Sequence, residues 1–419
     1  MSTNSVMPKE RSKLPDGWRW VRLGEVCEQD RRIVEPGSDL AERLPYLSLQ
    51  HVESKTGRIL RQPTETIQDE GKSTTFAFDP RHVLYGKLRP YLNKVALPDF
   101  DGRCTTEIIP LLPENETDRH YLAWLLRTDE TVNAAMRQRT GSRMPRADMD
   151  DLLTLEVPKP PLEEQKRIAA ILNEQMGAVE RARADAEAQL AAAKALPAAY
   201  LRAVFSSPEA QQWPVLHIGT LGDPTRGDTV QTGPFGAQLP SAEFTPTGVP
   251  VLNIGNVQWG YLDLSRLDHV TPQKAATLER YTVRGGDLLF TRSGTIGRCC
   301  IVPTPCSGWL ISYHLLRVAF DCGKVYPDFA AAALRGSEGV QAQLRLISGR
   351  GATRDGVNST ILAELRIPVP PLPEQQRVAA MLNEQMASAE RARKAIEEEL
   401  DGINKLPAAL LRRAFNGEL

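Results

Sequence analysis

The chain has 419 residues, enough for two or three domains with cores of their own. It is 41% hydrophobic and 25% charged, as soluble globular proteins are, and holds no apolar run long enough to span a bilayer. A formal net charge of -1 excludes a molecule that grips nucleic acid by bulk charge, so any such contact must come from local patches.

Reading begins at MSTNSVMPKERSKLPDGW, which lacks the apolar stretch of a secretion signal. The cysteines are Cys27, Cys104, Cys299, Cys300, Cys306 and Cys322. None forms a C-x-x-C pair and no histidine sits at zinc-ligand spacing, so they read as reduced thiols of a cytosolic protein.

Residues 1–157 form a first globular unit of mixed α/β (α+β) character. TDRHYLAWLLRTDETVNAAMRQR has helical periodicity. Two stretches carry cations among small or hydroxyl residues. LYGKLRPYLNK presents Lys87, Arg89, Tyr91 and Lys94, and MRQRTGSRMPR presents Arg137, Arg139, Ser142 and Arg143 with no acid. Arginine beside glycine and hydroxyl groups suits phosphate and base-edge contacts. Any one such loop is equally a solvated surface turn.

Residues 158–206 open on Pro-Pro-Leu and carry a helical stripe. Its seam runs Ile168, Leu172, Met176, Val179, Ala182, Ala186, Leu190, Ala193 and Leu196. Steps of three and four are coiled-coil spacing, predicted to stop before Pro197.

Residues 207–367 form a second globular unit. VLNIGNV and DLLFTRSG look like strands bounded by turns, and YPDFAAAALRGSEGVQAQLR is helical. Matched cationic loops recur. FTRSGTIGR carries Arg292, Ser293, Thr295 and Arg298, and LRLISGRGATR carries Arg350, Thr353 and Arg354. His314 reads as a core or interface residue. Residues 368–419 then repeat the stripe as Val378, Leu382, Met386, Ala389, Ala392, Ile396, Leu400, Ile403 and Leu406, before Pro407.

The repeat is close. PPLEEQKRIAAILNEQM from Pro160 matches PPLPEQQRVAAMLNEQM from Pro370, and PAAYLRAVF from Pro197 matches PAALLRRAF from Pro407. Fainter echoes link Trp20 to Trp213, Pro45 to Pro250 and Val83 to Asp287. The chain is one duplication in which the helices stayed alike and the globular units diverged. Two alike stripes of equal length are read as pairing with each other; two unrelated amphipathic helices are the plainer alternative. No phosphate-binding G-x-x-x-x-G-K-[ST], methyltransferase or metalloprotease motif is present.

The sequence resembles the specificity subunits of type I restriction-modification systems, the HsdS family. The resemblance rests on IPVPPLPEQQRVAAMLNEQ and its earlier copy, on the closing RRAFNGEL, on QTGPFGAQLPSAEFTPTGVPVLNIGNV from Gln231, and on GDLLFTRSGTIGR. It implies two target recognition domains, each reading half of a split site in double-stranded DNA, spaced by an antiparallel coiled coil. It adds Gln231 and Phe235 to the candidate DNA contacts. It assigns Ile168, Leu172, Met176, Val179, Leu190, Val378, Leu382, Met386, Ile396 and Leu400 to the coiled coil and partner docking. It also implies two methyltransferase subunits (HsdM) and, through them, restriction subunits (HsdR). S-adenosylmethionine, Mg and ATP would belong to those partners, with none bound here. No membrane partner is implied, and the place of action is the cytoplasm. Arg143 departs from the pattern, standing where the second copy has Thr353. A related system with a fused nuclease-methyltransferase partner, a coiled-coil scaffold without DNA contact, and a catalytic fragment remain competing readings.

Overall fold

The computed structural model describes residues 14–60, 73–137, 139–140, 143–349 and 356–419. The chain divides into two compact units. Unit 1 is Met1–Glu187 with Glu398–Leu419, and unit 2 is Ala188–Glu397. Each therefore combines one globular domain, the first half of one long helix and the last half of the other.

In unit 1 strands Cys27–Gln29, Ile108–Pro113, Val83–Gly86 and Val95–Ala96 lie in that order as an antiparallel sheet. A second sheet orders Ile33–Val34, Thr75–Phe78, Gly102–Thr105 and Tyr46–Leu47, the last pair parallel. Helices Arg119–Leu126 and Asp129–Arg137 follow. Strand Arg19–Arg22 pairs with Glu156–Lys159, which brings the domain's end back to its start. Unit 2 repeats the plan. Val230–Thr232, Leu315–Val318, Leu288–Thr291 and Cys299–Ile301 make the antiparallel sheet. Asp268–Val270, Val249–Leu252 and Leu310–Ile311 make the mixed one. Helices Pro327–Gly336 and Glu338–Gly349 follow, and Val215–His217 pairs with Arg366–Pro368. The expected mixed α/β units, their helical stretches and their strands are all present.

The long helices are Leu162–Phe205 and Leu372–Phe415. Both run through the prolines that were expected to stop them. A proline within a helix removes a hydrogen bond and costs about 3 kcal/mol. Packing beyond it offsets that cost. In unit 2 Leu201 and Phe205 are buried with Phe329, Val378 and Leu382. In unit 1 Leu411 and Ala414 are buried with Tyr121, Ile168 and Leu172. Inside each unit the start of one helix thus lies against the end of the other, which makes the pair antiparallel. Within unit 2 Lys194 and Glu397 face each other across it at 4.0 Å.

The seam departs from the expected stripe at one point in the first copy and at two in the second. Ala182 and Ala392 are exposed, and the buried face steps from Val179 to Ala186 through Arg183. In the second copy it steps from Ala389 through Arg393. Arginine tolerates this place because its aliphatic stem covers apolar surface while its charge reaches out. Arg393 pairs with Glu390 and Glu397, each at 2.6 Å. Leu406 is likewise exposed, and Ile403 closes the seam instead.

The repeated Pro-Pro-Leu-x-Glu-Gln motif anchors each domain to its helix. Gln165 is fully buried; its Oε1 accepts from the Asp118 amide at 2.9 Å and its Nε2 donates to the carbonyls of Glu116 and Pro160 at 3.0 and 2.9 Å. Gln375 does the same with the Tyr326 amide and the carbonyls of Lys324 and Pro370, at 2.8, 3.0 and 2.8 Å. A buried amide with three partners satisfies the backbone where strand becomes helix.

Candidate nucleic-acid interface

In unit 1 the fold lays two cationic loops side by side, and in unit 2 the equivalent backbone segments meet. In unit 1 the loop after Val83–Gly86 meets the segment 143–147. The Ala147 amide donates to the Lys87 carbonyl at 2.9 Å, and the Arg89 amide donates to the Pro145 carbonyl at 2.7 Å. In unit 2 the Val357 amide donates to the Arg292 carbonyl at 2.9 Å. Gly356 makes that approach possible, since a Cβ there would lie 1.8 Å from the Arg292 carbonyl oxygen. Loops about 50 residues or more apart in sequence thus share one surface in both units.

The side chains on these loops are differently placed. Arg89 is exposed and held in the left-handed region at φ 52°, and Asn93 follows at φ 50°. Gly294 and Gly297 hold the matching positions of unit 2, at φ 67° and 96°. Lys87 is half-buried, whereas Arg137 and Arg143 are exposed. Tyr91 is half-exposed and lines, with Asn93 and Lys94, a cleft of about 1220 Å³ inside unit 1. The Lys94 ammonium is already engaged. It donates to the Leu49 carbonyl at 2.6 Å, and burial pulls its pKa below the usual lysine range. Arg139 lies in the short strand Arg139–Thr140, paired with Arg146–Ala147. Arg146 is clamped by Glu107, with N–O distances of 2.7 to 3.1 Å. Ser142, Arg350, Thr353 and Arg354 lie outside the described residues.

In unit 2 the surface is more aromatic. Arg292 is buried, its guanidinium 4.3 Å from the centre of the Tyr313 ring. Phe235 is 60% exposed and lies 5.0 Å from that same ring. Ser293 Oγ and His314 Nδ1 are 3.0 Å apart. His314 is exposed, so it is no core residue. Thr295 is exposed, and Arg298 donates to Gln258 Oε1 at 3.1 Å. Gln231 donates to the Thr232 carbonyl at 2.7 Å and accepts from Arg280 at 3.4 Å. Sequence reasoning missed Tyr313 as part of this patch, as well as the exposed Trp259 and Tyr261. The one available signal was the closeness of Trp259 and Tyr261 outside a periodic apolar pattern, on a chain only 6% aromatic; nothing in the sequence marked Tyr313.

Five of the six cysteines are buried, and burial pushes the Cys27 thiol up to about 12. Among the described residues no cluster of three or more His, Cys, Asp or Glu is placed to hold a metal ion. No described helix is long and apolar enough to cross a membrane.

The model of the type I restriction modification DNA specificity domain matches residues 15–183 and 236–400. The chain belongs to that family. It is similar to the specificity subunit of the type I restriction enzyme EcoDI of Escherichia coli, 31% identical over 161 residues, 38% of this chain and 35% of that protein. It is similar along most of both chains to the MjaVIII specificity subunit of Methanocaldococcus jannaschii, 20% identical over 97% of this chain and 94% of that one. Its match spans 35%, 39% and 36% of the curated EcoDI, MjaX and EcoBI subunits. Among solved structures it resembles a chain from work on complex assembly and conformational transition of the type I R-M system, with a TM-score of 0.75 at 25% identity, covering 98% of this chain and 100% of that one. The HsdS subunit from Thermoanaerobacter tengcongensis shares the fold, with a TM-score of 0.67 at 23% identity over 99% and 100% of the two chains. The family's two matched regions each begin in a globular domain and end in a long helix, the repeat that the sequence displays.

Proposed function

We propose that this chain is the DNA-specificity subunit of a type I restriction-modification complex. Each globular domain reads one half of a bipartite, asymmetric site in double-stranded DNA. The observation that carries the reading is the paired-loop surface, built on the same backbone hydrogen bond from Ala147 to Lys87 and from Val357 to Arg292. Exposed Arg89, Arg137 and Arg143 suit phosphate contacts in unit 1, and Phe235, Ser293, Thr295 and His314 suit base-edge and methyl contacts in unit 2.

The alike helices serve two alike partners. The pair Glu164–Arg167 at 2.7 Å recurs as Glu374–Arg377 at 2.6 Å, and exposed Ala170, Asn173 and Glu174 recur as Ala380, Asn383 and Glu384. Two methyltransferase subunits docked on such repeated faces would in turn hold the restriction subunits. S-adenosylmethionine, Mg and ATP act in those partners, in the cytoplasm, and this chain performs no chemistry itself.

The test is to co-express the chain with its methyltransferase subunit and sequence the modified adenines. A bipartite motif is expected. Replacing residues 1–157 by the first domain of a relative should change one half of it only; a change in both halves would overturn the one-domain, one-half-site reading. The purified chain alone should show no methyl transfer.

A further inference from the structure

Unit 2 holds a cavity of about 390 Å³ between helix Pro327–Gly336 and the start of helix Leu372–Phe415. Its counterpart in unit 1 shows what fits there. The two domain helices align through their anchors. Gln165 and Gln375 accept from the amides of Asp118 and Tyr326, and Tyr121 and Phe329, three residues on in each case, pack tilted against Phe415 and Phe205. Three residues further on stand Trp124 in unit 1 and Ala332 in unit 2. The Trp124 indole donates its Nε1–H to Asn173 Oδ1 at 2.9 Å, and the Arg127 guanidinium lies 4.5 Å from its ring centre. In unit 2 the indole is missing and its surroundings remain.

Asn383, Arg335 and Met386 line the cavity, in the places of Asn173, Arg127 and Met176. Ala332 and Leu382 are buried beside them. Arg335 is set by the same device as Arg127. A Cβ on Gly260 would lie 2.1 Å from its guanidinium, and a Cβ on Gly57 would lie 2.3 Å from that of Arg127. Gly260 lines the cavity, and its neighbours in sequence are aromatic. Trp259 and Tyr261 flank Gly260 in sequence, 51% and 62% exposed, as anchors of a protein interface are before docking. At the matching turn of unit 1 the chain has Lys55, Thr56 and Arg58 instead.

We infer that this cavity receives an indole-type side chain presented by a protein that docks on unit 2. The ring packs on Ala332 and Leu382 with the Arg335 guanidinium over its face, and its N–H donates to Asn383. The docking half of the inference rests on the proposed partner reading; the pocket does not.

The probe is 5-fluoroindole, titrated into the full chain and followed by fluorine NMR. One saturable site is expected. Ala332→Trp should remove it by filling the space from within, and Trp124→Ala should open a second site in unit 1. 1-Methyl-5-fluoroindole, which lacks the N–H, should bind unaltered protein about fivefold more weakly, as loss of one hydrogen bond requires. That arm needs no variant to fold. Absence of a saturable site, or equal binding of both probes, overturns the pocket. In the assembled complex, Ala332→Trp should weaken partner binding about tenfold by occupying the receptor. Unchanged partner binding overturns the docking half. Failure of the unaltered chain to bind a methyltransferase subunit would count against the partner reading, with the indole titration still deciding the pocket.

Discussion

The two units share a frame and differ at its tips. Each has an antiparallel sheet, a mixed sheet, two helices and a closing two-stranded pair, and each is tied to its long helix by a fully buried glutamine with three backbone partners. The differences gather where the frame meets solvent. Non-glycine Arg89 and Asn93 hold left-handed positions that Gly294 and Gly297 hold in unit 2. The cationic turn at 55–58 of unit 1 has an aromatic counterpart at 259–261 in unit 2. The lesson is that duplication preserved the buried glutamine anchors and released most surface groups, with Trp124, partnered by Asn173 and Arg127 yet replaced by Ala332 in unit 2, as the exception. Replacing a multiply bonded buried residue leaves several groups unsatisfied at once, whereas a surface change costs little.

Matched substitutions break that comparison most sharply. Leu172 and Leu382 are buried in equivalent clusters, so Leu172→Asp and Leu382→Asp should each destabilise by about 4 kcal/mol or more, from the lost burial and the unpaired carboxylate. Hydrogen exchange should show the loss centred on unit 1 in the first case and on unit 2 in the second. Uniform loss across both units in each variant would mean that they do not behave as separate bodies.

Gln165→Leu and Gln375→Leu come next. Each strands one amide and two carbonyls, for about 3 kcal/mol, and the two values should agree because the geometry does. Denaturant unfolding monitored in each unit reads this out, and a large disparity would show that the anchors are not equivalent. Tyr121→Phe should cost about 1 kcal/mol through loss of the bond from its hydroxyl to the Pro158 carbonyl at 2.8 Å. Phe329 has no such hydroxyl, so Phe329→Tyr should bring no matching gain in thermal stability. The smallest effect is expected at Arg89→Gly, which relieves a left-handed arginine and should stabilise unit 1 by about 0.5 kcal/mol. DNA binding of the assembled complex should weaken at the same time, with a shallower salt dependence. Unchanged binding would remove Arg89 from the interface.

Much of this molecule could be read before folding. Apolar periodicity marked the long helices and both domain helices, because burial of one face imposes a 3.6-residue repeat on the sequence. The duplication was visible because Gln165 and Gln375, with the prolines before them, cannot be exchanged without loss of several bonds at once. The cationic loops were visible as composition. What periodicity could not supply was any fact that depends on a second segment. The helices pass Pro197 and Pro407 because Leu201, Phe205 and Leu411 find buried partners beyond them. The seam takes Arg183 in place of Ala182, a one-residue shift that a stripe of small residues leaves open. Lys94 and Arg292 look alike in sequence, yet one is spent on the Leu49 carbonyl and the other lies under Tyr313. A lone sequence states which residues can pair; which pairing forms is decided by what the remaining chain brings within hydrogen-bonding or packing distance.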